Sequence, residues 1–117
     1  MSTKTSVELR DPIHGAIRVD LRELQVIDAA VFQRLRGIRQ LGFAELVYPG
    51  AVHNRYLHSV GAMHLAGRAF DSVFANADWL DAQAKGRFRQ IVRLAGLLHD
   101  IGHAPLSHAA ESLMPMR

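Results

Sequence analysis

The spacing of apolar side chains changes character along this chain. Between residues 7 and 19, Pro12 and Gly15 punctuate the sequence and Ile17-Arg-Val-Asp20 alternates with period two, which predicts a short hairpin or two brief strands around a turn. From Leu21 the spacing becomes helical: Leu21, Leu24 and Ile27 lie on one side, with Asp20 placed to cap them. After a break near Asp28, Val31, Leu35, Ile38 and Leu41 continue a second helix that Gly42 ends. Residues 43–55 contain Pro49-Gly50 and read as a connecting loop. A third helix is predicted over 56–76, where Val60, Met63, Gly67, Phe70 and Phe74 share one stripe. Gly61 and Gly67 each weaken that helix by about 1 kcal/mol relative to alanine, which points to close packing against a neighbour. Residues 77–84 make a turn, and a fourth helix covers roughly 82–101. Its apolar positions, Phe88, Ile91, Val92, Leu94, Ala95, Leu97 and Leu98, surround most of the circumference and predict a central buried helix. Ser107 caps a last short helix reaching Leu113 before Pro115. The expected fold is mostly α, about five helices with a short N-terminal β-hairpin.

Composition narrows the chemistry. At 117 residues the chain has the size of a single domain, and 49% apolar with 21% charged residues is ordinary for a globular one. There is no cysteine, so disulfides and thiolate zinc sites are excluded. A metal would have to use imidazole and carboxylate, a donor set suited to Mn, Fe, Mg, Zn, Co or Ni. The first residues lack the apolar core of a signal peptide and no later run approaches 18 apolar residues. The expected address is cytoplasmic, without membrane contact. A net charge of +3 with pI near 10 suits an anionic ligand such as a nucleotide. Nucleic acid is compatible with that charge but not required by it.

Candidate chemistry gathers at the end of the fourth helix, where His99-Asp100 is followed by His103 and His108. Adjacent helical residues project about 100° apart, yet an ion over the helix flank could be reached by both if another helix supplied a further ligand. A carboxylate at the end of so apolar a helix is costly unless paired or bound to metal. The competing reading is a helix C-terminus with His99 capping and Gly102 as the stop. His58, near the start of the third helix, would alone be read as a satisfied core histidine. Arg34, Arg36 and Arg39 form a dense basic segment whose default reading is a solvated face. His14 and His53 are expected to stabilise turns, and His64, about 240° around the helix from His58, should not share its site. Asp71, Asp78 and Asp81 should face solvent.

His58 followed by His99-Asp100 resembles the H…HD pattern of the HD-domain metal-dependent phosphohydrolases. Further blocks extend the resemblance: Asp11-Pro-Ile-His-Gly15, Phe32-Gln-Arg-Leu-Arg36, Gln40-Leu-Gly42, Tyr48-Pro-Gly-Ala51, His53-Asn-Arg55, and His99-Asp-Ile-Gly-His103 with Pro105 and Ser107-His108. In that order, from residue 11 to residue 111, the chain is similar to the deoxynucleoside triphosphate (dNTP) triphosphohydrolases. The resemblance implies that 1–117 is the N-terminal part of one HD domain. His58, His99 and Asp100 would be three of four metal ligands, the fourth being an aspartate further downstream in the family. It further implies that Arg55 contacts substrate phosphates and that Gln40 and Leu41 read the deoxyribose side. His103 and His108 would lie near the α-phosphate, with His108 as proton donor to the leaving 5′-oxygen. Glu111, three residues on, is placed to orient that imidazole and raise its pKa. Asp28, Gln33 and Arg36 fall where the resembling enzymes read an activating guanine nucleotide at a subunit interface, implying a homo-oligomer. Two departures stand out: Leu106 replaces the aromatic of a Phe-Ser-His triplet, and Leu57 stands where glutamate is common.

Two functions of different class follow. One is a metal-dependent nucleotide phosphohydrolase, releasing deoxynucleoside and triphosphate from a dNTP, or a related HD phosphoesterase. The other is a truncated, non-catalytic HD fragment that binds metal, nucleotide or a partner chain, with little or no turnover of its own.

Overall fold

The computed structural model describes residues 5–104. Strand β1 (Ser6–Asp11) pairs antiparallel with β2 (Gly15–Asp20), with Val7 opposite Val19 and Leu9 opposite Ile17. The turn between them is held by Asp11, whose Oδ1 accepts from the backbone N–H groups of Ile13 and His14 at 2.8 and 2.9 Å. Gly15 takes the left-handed conformation (φ 71°) that a side chain would disfavour. Alternation then does what period two demands: Ile17 and Val19 are fully buried while Ala16 and Arg18 face out.

Helix α1 (Leu21–Ile27) starts at Asp20, whose side chain accepts from the Arg22 and Glu23 N–H groups while Glu23 Oε1 accepts from the Asp20 N–H. This capping box satisfies donors that have no helical partner. The helix closes at Asp28, as the spacing predicts. Helix α2 (Ala30–Gln33) is shorter than expected, passing into a 3₁₀ turn over Arg34–Gly37 and then extended backbone at Ile38. The helix expected to continue to Leu41 is therefore absent. In its place the 38–40 segment pairs with the segment before α3: Arg55 N–H donates to the Ile38 carbonyl at 2.8 Å and Gln40 N–H to that of His53 at 3.1 Å. Gly42, expected as a helix stop, instead takes a left-handed φ of 59° within the connecting loop.

Helix α3 (Arg55–Val73) begins at Asn54, whose side-chain oxygen accepts from Leu57 N–H at 2.9 Å. Val60, Met63, Gly67 and Phe70 of its expected stripe are buried, but the helix ends at Val73 rather than 76, which leaves Phe74 as a half-buried cap. Helix α4 (Ala82–Leu98), capped by Asp81, packs along α3. Only its Leu97 side is fully enclosed; Phe88 and Ile91 are about half exposed at 48% and 56%. The expectation of a helix buried all round is thus corrected among the described residues. The core is one cluster joining Ile17 and Val19 of the hairpin, Ile27 of α1, Phe32, Leu35 and Ile38, Tyr56, Val60 and Met63 of α3, and Leu97 of α4. The last expected helix, from Ser107 to Leu113, lies outside the described residues. Among the described residues, four α-helices and one hairpin make the fold mostly α. No described helix is long and apolar enough to cross a membrane.

Helix α4 packs backbone to backbone on α3 at Gly96, where a Cβ would meet the Ala62 carbonyl oxygen at 3.1 Å. Gly67 serves the same helix pair from the α3 side, while Gly61 faces the β1–β2 turn. Both make room for side chains, His14 against Gly61 and Arg93 against Gly67.

Candidate metal centre

The α3–α4 pair brings the first turn of one helix to the end of the other. His58 lies on α3, His99 follows Leu98 at the end of α4, and Asp100 is the next residue of the ensuing turn. The Nε2 atoms of His58 and His99 are 3.1 Å apart, and Asp100 Oδ2 is 3.6 and 3.4 Å from them respectively. His58 thus converges with a His-Asp doublet that begins 41 residues later, all three donors lying within 4.8 Å of one another.

Their surroundings orient them. His99 Nδ1–H donates to the Gly96 carbonyl at 2.6 Å, which fixes the proton on Nδ1 and leaves Nε2 of the neutral ring as a lone pair aimed at the other two donors. Arg55 is 3% exposed and donates from Nη1 to Asp100 Oδ2 at 2.9 Å, turning that oxygen toward the imidazoles. Burial, helped by the His99 ring and the Arg55 guanidinium and opposed by the Asp100 carboxylate, holds His58 below the ordinary imidazole value. His58 is therefore neutral near pH 7, the form that binds metal. The side chains of His58 and His99 remain 39% and 42% exposed, so a ligand can approach from solvent. A cavity of about 250 Å³ adjoins His58, walled by the β1–β2 turn and by Leu57, Ala62 and Leu65 of α3.

The donor set fits a divalent cation. Ligands about 2.1 Å from an ion stand roughly 3.0–3.4 Å apart in cis-octahedral or tetrahedral arrangement, close to the 3.1, 3.4 and 3.6 Å found here. Two bare Nε2 lone pairs at 3.1 Å would otherwise repel, and a shared cation or a proton on His58 relieves that repulsion.

The remaining expected site residues divide. Gln40 is half-buried, and its carbonyl lies 3.5 Å from Arg55 Nη2, which links it to the Asp100 side of the site. Leu41 is 52% exposed. His103 follows in the turn after Asp100, its N–H donating to the Asp100 carbonyl at 3.0 Å. His108 and Glu111 lie outside the described residues. Gln33 donates from Nε2 to the Ile27 carbonyl at 2.7 Å and accepts from Arg36 Nε at 2.7 Å, while Arg36 also stacks 3.9 Å over the Tyr56 ring. Asp28 is exposed at the α1 terminus, near that pair in sequence.

Sequence reasoning missed the roles of two arginines. Arg34 donates to the carbonyls of Ile101 and His103, pinning the turn that carries Asp100. Arg93, set in the apolar run of α4, forms a buried pair with Glu23 across 70 residues. The basic segment is accordingly more than a solvated face: Arg34 holds this turn, Arg36 stacks on Tyr56, and Arg39 binds the Val52 carbonyl and Glu45. His64 sits apart from His58, its ring 5.2 Å from that of His14, as the helical angle requires.

Comparison with known proteins adds a second line. Residues 55–115 match the model of the HD domain. The chain is 42% identical over 111 residues to the deoxynucleoside triphosphate triphosphohydrolase SAMHD1 homolog of Dictyostelium discoideum, covering 95% of this chain and 21% of that protein. It is 44% identical over 100 residues to deoxynucleoside triphosphate triphosphohydrolase SAMHD1 of Homo sapiens, covering 86% and 16%. Among solved structures, a hypothetical protein from Aquifex aeolicus superposes with a TM-score of 0.77 at 41% identity, covering 94% of this chain and 27% of that one. The chain thus spans about a fifth of the length of the first of those curated relatives and about a sixth of the second.

Proposed function

The chain belongs to the HD-domain family, and from that footing we propose that it carries the metal-binding part of a nucleotide phosphohydrolase, most specifically a dNTP triphosphohydrolase. The observation that carries this reading is the convergence of His58 Nε2, His99 Nε2 and Asp100 Oδ2 within 4.8 Å. The names of relatives at 42% and 44% identity support the choice of substrate.

His58, His99 and Asp100 would hold one divalent cation, whose chemistry when bound is to polarise a phosphoryl oxygen and acidify water. The chain's own residues set the stage for it. Gly96 and Arg55 orient two of the three donors, and the depressed His58 pKa keeps that ligand ready at neutral pH. Arg55 sits at 2.9 Å from Asp100, where its guanidinium would place cationic charge beside a phosphate. Gln40 and Leu41 would border the sugar. His103 and His108 would stand by the α-phosphate, His108 delivering a proton to the departing 5′-oxygen with Glu111 behind it. Asp28, Gln33 and Arg36 are our candidates for an activating guanine-nucleotide contact in a homo-oligomer. A cytoplasmic setting accords with all of this.

The test is to incubate the 117-residue chain and a longer polypeptide containing it with Mn²⁺ or Mg²⁺ and each dNTP, and to assay inorganic triphosphate. Release by the longer form alone supports the enzyme reading and makes this piece a binding fragment. Release by neither retires the dNTPase assignment.

A further inference from the structure

A cavity of about 540 Å³ opens where β2, α3 and α4 meet, and it shares no lining residue with the cavity beside His58. Four arginines line it: Arg18 from β2, Arg68 from α3, and Arg89 and Arg93 from α4. Their charges are not equally available. Arg93 is neutralised by Glu23 through bonds of 2.7 and 3.0 Å, and Arg89 by Asp71 through bonds of 2.8 and 3.1 Å. The other carboxylate in the wall, Asp20, is committed to the backbone of α1 and to Gln90 Nε2 at 2.6 Å. Arg18 and Arg68, by contrast, make no side-chain hydrogen bond or ion pair among the described residues. Two uncompensated guanidinium groups therefore border one concave space, and low-dielectric walls strengthen the field they produce.

The size falls within the range of roughly 300–1,000 Å³ that small ligands occupy. Guanidinium forks match the planar edges of oxyanions. Two free arginines on separate elements, with Gln90 between the paired ones, offer more donors than one carboxylate can use. A ligand carrying several linked oxyanions uses them all. We propose that this cleft is a second anion site, distinct from the metal centre, that takes the phosphate oxygens of a polyphosphate with Arg18 and Arg68 as its principal donors. The polyphosphate could be free triphosphate or the tail of a nucleoside triphosphate, and the two are separated by experiment.

Calorimetric titration of the full chain in chelator, at matched ionic strength, uses inorganic triphosphate and then a dNTP. One saturable site is expected. Arg18→Gln and Arg68→Gln should each weaken it roughly tenfold, the loss of one charge-assisted contact, whereas Asp100→Asn should leave it unchanged. Equal affinity for the two ligands identifies the phosphate chain as the whole determinant; tighter dNTP binding identifies the nucleotide. Both arginines are exposed, so the glutamine variants spare the core. If either fails to fold, the lysine variant, which keeps the charge but loses the fork, should show a smaller loss of the same sign. Absent binding, binding indifferent to both arginines, or binding lost with Asp100→Asn overturns the proposal.

Discussion

Two largely buried arginine–carboxylate pairs anchor α4 and the turn that follows it, and they are built from the same chemistry to opposite ends. In the Glu23–Arg93 pair both side chains are buried, at 2% and 7% exposure, and neither leaves a buried polar atom without a partner. Glu23 takes Arg93 on both oxygens and closes the α1 cap besides, while Arg93 reaches the Arg18 carbonyl at 2.8 Å. The Arg55–Asp100 pair is equally short at 2.9 Å, yet Asp100 Oδ2 also faces two imidazoles 3.4 and 3.6 Å away. A saturated pair can only hold helices together. A pair whose acceptor still confronts two lone pairs is prepared for a cation. What separates structural from chemical use of one ion pair here is the unspent coordination around the carboxylate.

The comparison is broken most severely by removing one member of the saturated pair. Glu23→Ala strands Arg93 in the interior and opens the α1 cap, with an expected cost of about 3–5 kcal/mol. The shift should appear in the urea midpoint of the purified variant. Replacing both partners together, as in Glu23→Leu with Arg93→Met, should recover most of the loss, because the cost lies in the orphaned charge more than in the missing attraction. A double variant as unstable as the single one would show that the pair's geometry itself holds α1 to α4.

At the other pair the expected effect is on binding more than on folding. Asp100→Asn keeps the shape and an acceptor for Arg55 but removes the anionic ligand, so affinity for Mn²⁺ should fall by at least about a hundredfold, the upper end of what outer partners alone cost. Titration with the metal and elemental analysis after dialysis both read this. Unchanged metal content would refute the ligand assignment.

A smaller effect is expected at Gly96, which serves both the helix contact and the His99 tautomer. Gly96→Ala gains about 1 kcal/mol of helix propensity, but its Cβ meets the Ala62 carbonyl at 3.1 Å and Ala66 Cβ at 3.3 Å. Backbone cannot yield as a side-chain tip does, and overpacking costs about 1–3 kcal/mol. A net loss of about 1 kcal/mol should accompany weaker metal binding, since separating the helices also separates His58 from His99. Weaker binding at unchanged stability would place the effect in His99 orientation alone.

Much of this was legible in the residues. The period-two stretch, Asp20 as a cap, the end of α1 at Asp28 and the α3 stripe are local signals, and local physics honours them. That His58 would meet His99-Asp100 was legible only through the H…HD resemblance, because nothing local ties residues so far apart, and the packing of α3 on α4 brings the three within 4.8 Å. The second helix was misread because its 4-3-3 spacing is also satisfied by a 3₁₀ turn followed by extended chain. Pairing of 38–40 with 53–55, a long-range backbone contact, decided between them. The burial of α4 was overestimated because apolar content does not say which sides find a neighbour; Leu97 does, and Phe88 does not. The Glu23–Arg93 pair was invisible because its members are 70 residues apart and each reads locally as a surface charge.

The mildest test extends the series to an exposed pair. Asp71 and Arg89 meet through two bonds of 2.8 and 3.1 Å, but their side chains are 54% and 40% exposed. The Arg89 hydrogen bond, opposed by partial burial, holds Asp71 below the ordinary carboxylate value. Because the folded pKa is the lower one, the pair's contribution is complete above the unfolded value near 3.8 and disappears as pH falls through the folded value. Solvent screening limits it to about 0–1 kcal/mol. Asp71→Asn should therefore lower stability by no more than that at pH 7, and the difference from the parent chain should close as acid protonates Asp71. A loss approaching that of Glu23→Ala would mean that burial is not what ranks these pairs, and the contrast between the saturated and the open carboxylate would need another cause.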